Sequence, residues 1–426
     1  MLQASLRSGA ADQHCVFEVF ARALPAGRRF GVVAGTGRLL TEIERFRFDA
    51  EDLEFLSNTG VVDERTCQWL ADYRFSGDID GYAEGEAYFP GSPILTVEAS
   101  FGQAVLLETL LLSVLNHDSA VASAAARMTS AAGGRPCIEM GSRRTHEEAA
   151  VAAARAAYVA GFASTSNLEA GRRHGIPTTG TAAHAFVLVH GDERAAFAGQ
   201  VEAFGPGTTL LVDTFDVMAG IRTAVEVAGA ELGAIRLDSG DLLALAYDAR
   251  SLLDELGATT TRIVVTSDLD EHAIAALAPA PIDAYGVGTS VVTGSGAPTA
   301  GFVYKLVARA AEPGADAPLL SVAKRSPNKS SAGGRKRATR RRDRAGQALT
   351  EILTVGDHPD SSPEPGADDR PLQVPLMRSG SVQGPASIAE ARHRFVQSLA
   401  ELPPSALALS RGEPAIRTSY QGGSRR

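Results

Sequence analysis

Cysteine is scarce: Cys15, Cys67 and Cys137 are the only three in 426 residues, they lie far apart, and none belongs to a C-x-x-C pair. A disulfide scaffold and a zinc ribbon are therefore unsupported. Long apolar runs are missing as well. None reaches the roughly 18 residues that a bilayer span needs, and no basic region followed by an apolar core opens the chain. Neither a membrane helix nor a leader is expected, and the protein reads as cytoplasmic. Positive charge is the smaller share: 41 Lys and Arg stand against 50 Asp and Glu, a formal net charge of −9. That balance argues against nucleic-acid binding by the protein as a whole.

What is present is enough chain for about two domains, or for one large barrel with additions. MLQASLRSG is helix-like, CVFEVFA alternates as a strand, and Arg38–Arg45 is helix-like ahead of a charged loop around Phe48–Leu53. From Phe75 to Thr96, glycines alternate with acidic and aromatic residues, the pattern of short strands with tight turns. From Gln103 the texture changes to an apolar helix, then an Ala-rich helix over His117–Ala132. Thr145 with Glu148 three residues on reads as a capping box that starts another helix. The expected division is an α+β domain over 1–102, completed by C-terminal residues, an α/β barrel over 103–310 and a C-terminal segment over 311–426.

The barrel expectation rests on repetition. Gly161–Asn167, Pro177–Thr181, Thr209–Asp213, Ile235–Leu237, Ile263–Thr266 and Ile282–Val287 read as strands separated by helical stretches, which indicates a parallel sheet or (β/α) barrel. After each strand, Gly, Ser, Thr, Asp or His residues gather where such a barrel keeps its active site. Beyond Val307 the pattern decays into a basic run, Lys324–Arg344, and an acidic Pro-rich loop, His358–Arg370. The first is expected to be a strand or loop excursion that serves phosphates or forms a solvated surface, the second a flexible loop.

The chemistry centres on Gly175–His190, where His184 stands among alanines at a strand-to-helix junction with room for a ligand. A core histidine bonded to a carbonyl would have the same local sequence; the repeated polar junctions favour a functional one. Asp238-Ser239-Gly240-Asp241 offers two carboxylates around a hydroxyl, suited to ribose hydroxyls or to Mg²⁺ held with substrate phosphates, or to a helix cap through Asp238 or Ser239. Gly286, Gly288 and Thr289 form a glycine-rich turn whose N–H groups can approach a phosphate. Arg143 and Arg144 supply fixed positive charge, and Ser164–Asn167 offers four short hydrogen-bonding side chains that would equally serve as a helix cap. With Arg236 and Lys305, these groups suggest transfer of a phosphorylated sugar.

EMGSRR, GFASTSNLEAGRRHGIPTTGTAAHAF, IRLDSGDL, VVTSDLDE and YGVGTSVVTGSGAPTAGFVYKLV, in this order, resemble the nicotinate phosphoribosyltransferase family. The resemblance runs from Met1 to about Arg344. It implies an irregular α/β barrel of the type II phosphoribosyltransferase kind beside an N-terminal mixed domain, and a homodimer. The implied reaction joins nicotinate to phosphoribosyl pyrophosphate, giving nicotinate mononucleotide and pyrophosphate with ATP hydrolysis and Mg²⁺, in NAD salvage. By the same resemblance, His184 is the phosphorylated histidine and Asp238 a catalytic and metal-binding carboxylate with Asp241. Arg143 stands near the nicotinate carboxylate, and Ser166 and Asn167 near the pyridine. Thr181, Arg236, Ser239 and Gly240 hold ribose and phosphates, and Gly286, Gly288 and Thr289 cradle the 5′-phosphate. Two departures are visible: the family's T-D-x-Y segment precedes the Met matching Met1, so stacking on nicotinate is expected to be weaker in this chain, and Met140 stands where relatives carry an aromatic. A nicotinamide or quinolinate enzyme and a catalytically impaired homologue are the alternatives.

Overall fold

The computed structural model describes residues 1–312, 317–324, 332–356, 368–384 and 387–421. It forms two compact units, Met1–Ala120 with Thr299–Arg426, and Val121–Pro298.

The first unit draws its sheet from both ends of the chain. Its seven strands are ordered Leu319–Ser321, Phe302–Ala310, His14–Ala21, Leu95–Ser100, Asp78–Tyr82, Gln373–Arg378 and Ser381–Val382, all neighbours antiparallel. His14–Ala21 lies in the interior of this sheet and is buried on both faces. A second sheet of four strands contains Lys336–Arg342 and Ala348–Val355. Lys305 lies on the strand Phe302–Ala310.

Several local expectations change. The charged stretch after Phe48 is a helix, Ala50–Asn58, because Asp49 accepts the Asp52 N–H at 2.9 Å while Asp52 accepts the Asp49 N–H at 3.1 Å. Two aspartates thus make a reciprocal cap that reads from sequence as a solvated loop. The second expected helix is not separate: a short helix Phe101–Leu106 precedes one continuous helix, Glu108–Ala131. The polar residues at the expected junction are bonded partners. Asp118 is buried against Arg38 at 2.8 and 2.9 Å, and the Ser119 hydroxyl donates to Ala34 O. The Thr145 capping box does not form; the helix Glu147–Val159 starts after His146 without a side-chain cap, and Glu148 pairs with Arg173 at 2.8 Å.

The fourth correction concerns the basic run. Residues 325–331 lie outside the described residues; the expected strand forms over Lys336–Arg342, and while Lys324, Arg341 and Arg344 are exposed, several of its basic side chains turn inward rather than forming a solvated surface. Lys336 is buried on Glu18 at 2.7 Å, Arg340 is 0% exposed between Glu86 and Glu351, and Arg335 and Arg341 pair with Glu98 and Asp369. The expected acidic Pro-rich loop lies outside the described residues up to residue 367. Among the described residues, no helix is long and apolar enough to cross a membrane. The three cysteines are free.

The second unit holds the repeating pattern. Six parallel strands are ordered Ser164–Thr165, Cys137–Glu139, Ala284–Val287, Arg262–Val265, Ala234–Leu237 and Thr209–Leu211. The helices Val217–Ala228 and Leu242–Glu255 connect successive strands, as parallel pairing demands. Pro177–Thr181 contributes only the isolated bridge Thr165–Thr178, not a full strand. Its proline and the following glycine deny it a regular ladder.

Candidate active site

Parallel strands all point their carboxyl ends the same way, so residues following each of them converge on one rim. At that rim, Arg236 is the hub. It sits inside the strand Ala234–Leu237, its side chain 13% exposed, and its guanidinium reaches Ala182 O at 3.4 Å and three side chains. Nε donates to the Thr266 hydroxyl at 2.9 Å, Nη1 to the Thr181 hydroxyl at 2.7 Å, and Nη2 meets Asp238 Oδ1 at 2.9 Å. Thr266 also donates a short hydrogen bond to Asp238 Oδ1. Burial alone would push the Asp238 carboxyl up, but the Thr266 bond, the Arg236 charge and the nearby His184 together hold it below its ordinary value. Asp238 is thus a fixed anion at neutral pH.

His184 opens the helix His184–His190 and is 41% exposed at its side chain. Its Nδ1 shares a 3.2 Å hydrogen bond with the Thr214 hydroxyl. Its Nε2 faces Asp238 Oδ2 at 3.6 Å and Asp213 Oδ1 at 3.9 Å. The Asp213 side chain is 1% exposed, and its Oδ2 accepts the Asp238 N–H and the Ser239 hydroxyl, each at 2.8 Å. Among the described residues its Oδ1 is buried without a hydrogen-bond partner. A histidine held on one nitrogen, with its other nitrogen turned toward two carboxylates, can be charged or modified there without losing its orientation.

The structure therefore brings Thr181, His184, Arg236, Asp238 and Ser239 together. Gly240 follows with φ of +86°, a left-handed turn that glycine makes without a Cβ penalty. Asp241 instead caps the helix Leu242–Glu255 by accepting the Ala244 N–H at 3.2 Å, so the cap considered for Asp238 or Ser239 falls later in the turn. On other strands of the same sheet, Asn167 caps the helix Leu168–His174 and donates to the Ser142 hydroxyl at 2.9 Å. Ser166 donates its N–H to Glu139 O. Arg143 is exposed and makes no hydrogen bond or ion pair with the described residues. Gly286 packs where a Cβ would stand 2.8 Å from the Met140 sulfur, and Gly288 and Thr289 begin the short turn that follows. Asp213, Thr214 and Thr266 were not singled out from sequence. Each follows a strand closely, so the rule that exposed the others applies to them as well.

A divalent cation can be tested against this donor set. Among the described residues no three ligating side chains gather. The unpartnered oxygen of Asp213 beside Asp238 fits instead an ion that takes one or two carboxylates and completes its shell from substrate phosphates.

Comparison with known proteins places this geometry. The model of the nicotinate phosphoribosyltransferase (NAPRTase) N-terminal domain matches residues 1–116. The solved structure of human nicotinic acid phosphoribosyltransferase superposes with a TM-score of 0.83 at 27% identity, covering 99% of this chain and 96% of that one. The architecture is thus an irregular α/β barrel with an N-terminal domain. Nicotinate phosphoribosyltransferase pncB1 of Mycobacterium tuberculosis is 58% identical over 426 residues, 98% of this chain and 92% of the relative. The human nicotinate phosphoribosyltransferase is 31% identical, over 93% of this chain and 88% of the relative. The chain belongs to the nicotinate phosphoribosyltransferase family.

Proposed function

We propose that this protein condenses nicotinate with phosphoribosyl pyrophosphate, releasing nicotinate mononucleotide and pyrophosphate, and that it couples this to ATP hydrolysis in NAD salvage. One observation carries the reading: in a chain 58% identical to a nicotinate phosphoribosyltransferase, a half-exposed histidine faces two carboxylates beside a fixed arginine at the rim of the parallel sheet.

The pyridine nitrogen attacks the anomeric carbon of the ribose as its bond to the pyrophosphate oxygen breaks, and the electron pair leaves with pyrophosphate. Positive charge develops on the sugar, so the enzyme's work is alignment and neutralisation rather than strong base catalysis. Arg236 and Thr181 bind the phosphates or ribose, with Ser239 and Gly240 on the same turn. Gly286, Gly288 and Thr289 offer the loop for the 5′-phosphate. Arg143 meets the nicotinate carboxylate, with Ser166 and Asn167 beside the ring. Asp238 and Asp213 would hold Mg²⁺, which when bound neutralises the leaving pyrophosphate; Asp241, an exposed helix cap, is a weaker candidate ligand than the sequence implied.

His184 accepts the γ-phosphoryl group of ATP on Nε2, and its later hydrolysis resets the site. The added negative charge beside Asp238 and Asp213 changes the electrostatics of the rim and can drive closure over the substrates. The protein works as a homodimer in this reading. The test is product formation from nicotinate and phosphoribosyl pyrophosphate with and without ATP, in wild type and in His184→Ala. Wild-type turnover stimulated by ATP, and an ATP-indifferent variant, are expected. A variant still fully stimulated by ATP would remove the histidine from the coupling.

A further inference from the structure

Glu139 ends the strand Cys137–Glu139, is 0% exposed, and has no part in the chemistry above. Both of its carboxylate oxygens are occupied. Oε1 accepts the Gly141 N–H, and Oε2 accepts the Thr165 hydroxyl at 2.5 Å. The Thr165 oxygen accepts in turn the Asn167 N–H at 2.9 Å, and Asn167 Nδ2 donates to the Ser142 hydroxyl at 2.9 Å. Ser142 follows Gly141, so the bonds close a ring: Glu139, Gly141, Ser142, Asn167, Thr165 and back to Glu139. The ring joins the segment that carries Arg143 to the segment that carries Ser166 and Asn167.

Packing holds the ring in place. A Cβ at Gly141 would stand 2.2 Å from Val292 Cγ1 and 3.0 Å from Gly288 O, so only glycine lets this turn lie against the loop of Gly288 and Thr289. Asn167 Oδ1 is spent on the Ala170 N–H at 2.8 Å, the cap of the next helix. Burial pushes the Glu139 carboxyl up, and the two donors act against that rise.

We propose that Glu139 is the positioning residue of the nicotinate side of the site, fixing the spacing between Arg143 and the Ser166–Asn167 pair and thereby favouring a pyridine that carries a carboxylate. This rests on the activity proposed above. Because the Glu139 oxygens are turned to protein donors, the groups left to the ligand are the Arg143 guanidinium and hydroxyls. Such a set suits an anion, and it suits a carboxamide less, since the amide N–H would find no carboxylate free to accept it.

The test is steady-state kinetics of full-length Thr165→Val, Glu139→Gln and Glu139→Ala, with nicotinate, nicotinamide and phosphoribosyl pyrophosphate each varied. Thr165→Val keeps the shape and removes the two bonds that the hydroxyl makes in the ring, to Glu139 Oε2 and from the Asn167 N–H, so it remains informative where Glu139→Ala does not fold. The KM for nicotinate is expected to rise about tenfold or more in Thr165→Val, in line with the loss of two buried hydrogen bonds, while that for phosphoribosyl pyrophosphate stays within about twofold. The preference for nicotinate over nicotinamide should fall in parallel. Glu139→Gln, which retains one acceptor, should be milder than Glu139→Ala. Equal changes in both KM values, or none, would overturn the positioning role while wild-type turnover left the activity standing. Absence of wild-type turnover with nicotinate would instead overturn the activity and the role with it.

Discussion

Arg236→Lys keeps the charge of the hub and removes its fork. A lysine ammonium can hold Asp238, but it cannot at the same time reach Thr266 and Thr181 as Nε and Nη1 do at 2.9 and 2.7 Å. Hydrogen bonds from a charged donor contribute about 1.5–3 kcal/mol each, so losing two sets a ceiling of about 3–6 kcal/mol. Thr266 retains its bond to Asp238, and the half-buried Thr181 regains water, which brings the expected loss to about 2–3 kcal/mol. That is roughly 30- to 150-fold in kcat/KM for phosphoribosyl pyrophosphate, since each 1.4 kcal/mol is a factor of about ten. Steady-state kinetics with both substrates varied would read it, with the KM for nicotinate changed by less than about threefold on the same reasoning. A loss below threefold, or a loss that falls chiefly on nicotinate, would refute the assignment of Arg236 to the sugar-phosphate side.

Three further outcomes are expected. His184→Ala should abolish stimulation by ATP while leaving slow ATP-independent turnover, measured as pyrophosphate release. Asp238→Ala should lose phosphoribosyl pyrophosphate binding by calorimetry; unchanged affinity would make the turn purely structural. Arg340→Leu takes the cation bonded at 2.6 Å from both Glu86 and Glu351, leaving Glu351 buried without its arginine and Glu86 with Arg370 alone, a cost of about 3–5 kcal/mol in stability. In the wild type, burial would raise the Glu86 carboxyl, but Arg340 and Arg370 bring it down to about 2. A carboxyl lowered on folding stabilises the protein above its unfolded value near 4.5, and that contribution is lost as pH falls from there toward 2. Glu351, raised by burial, acts in the opposite direction. The difference in melting temperature between wild type and Arg340→Leu should therefore be largest near neutrality and narrow below about pH 4, the range where carboxylates protonate; a constant difference would contradict the pairing.

The site was legible in the sequence to the extent that position in a repeating unit announces it. Residues that follow parallel strands gather at one rim, so Asp238 and Ser239 could be singled out from the spacing of strands and helices, whereas the stretch before His184 makes only an isolated bridge. Asp213 and Thr266 obey the same rule, but they lie in TLLVD and IVVT, where the apolar strand draws attention and the final polar residue passes as its end. Their importance is set by long-range contacts, Asp213 with Asp238 and Ser239, Thr266 with Arg236, that no local pattern encodes. The fold of the first unit was harder for the same reason. Its strands pair across hundreds of residues, as Glu18 does with Lys305, and Lys336 and Arg340, in a basic run that looked solvated, are buried against Glu18 and Glu86 from the other end of the chain. Charge patterns report the partners of a residue only when those partners are neighbours in sequence.

The most direct measurement is product analysis with labelled nicotinate, phosphoribosyl pyrophosphate and Mg²⁺, with and without ATP. The account predicts nicotinate mononucleotide and pyrophosphate in equal amounts, formed faster when ATP is hydrolysed and scarcely at all when nicotinamide replaces nicotinate. No mononucleotide under either condition, or equal turnover of the amide, would contradict it.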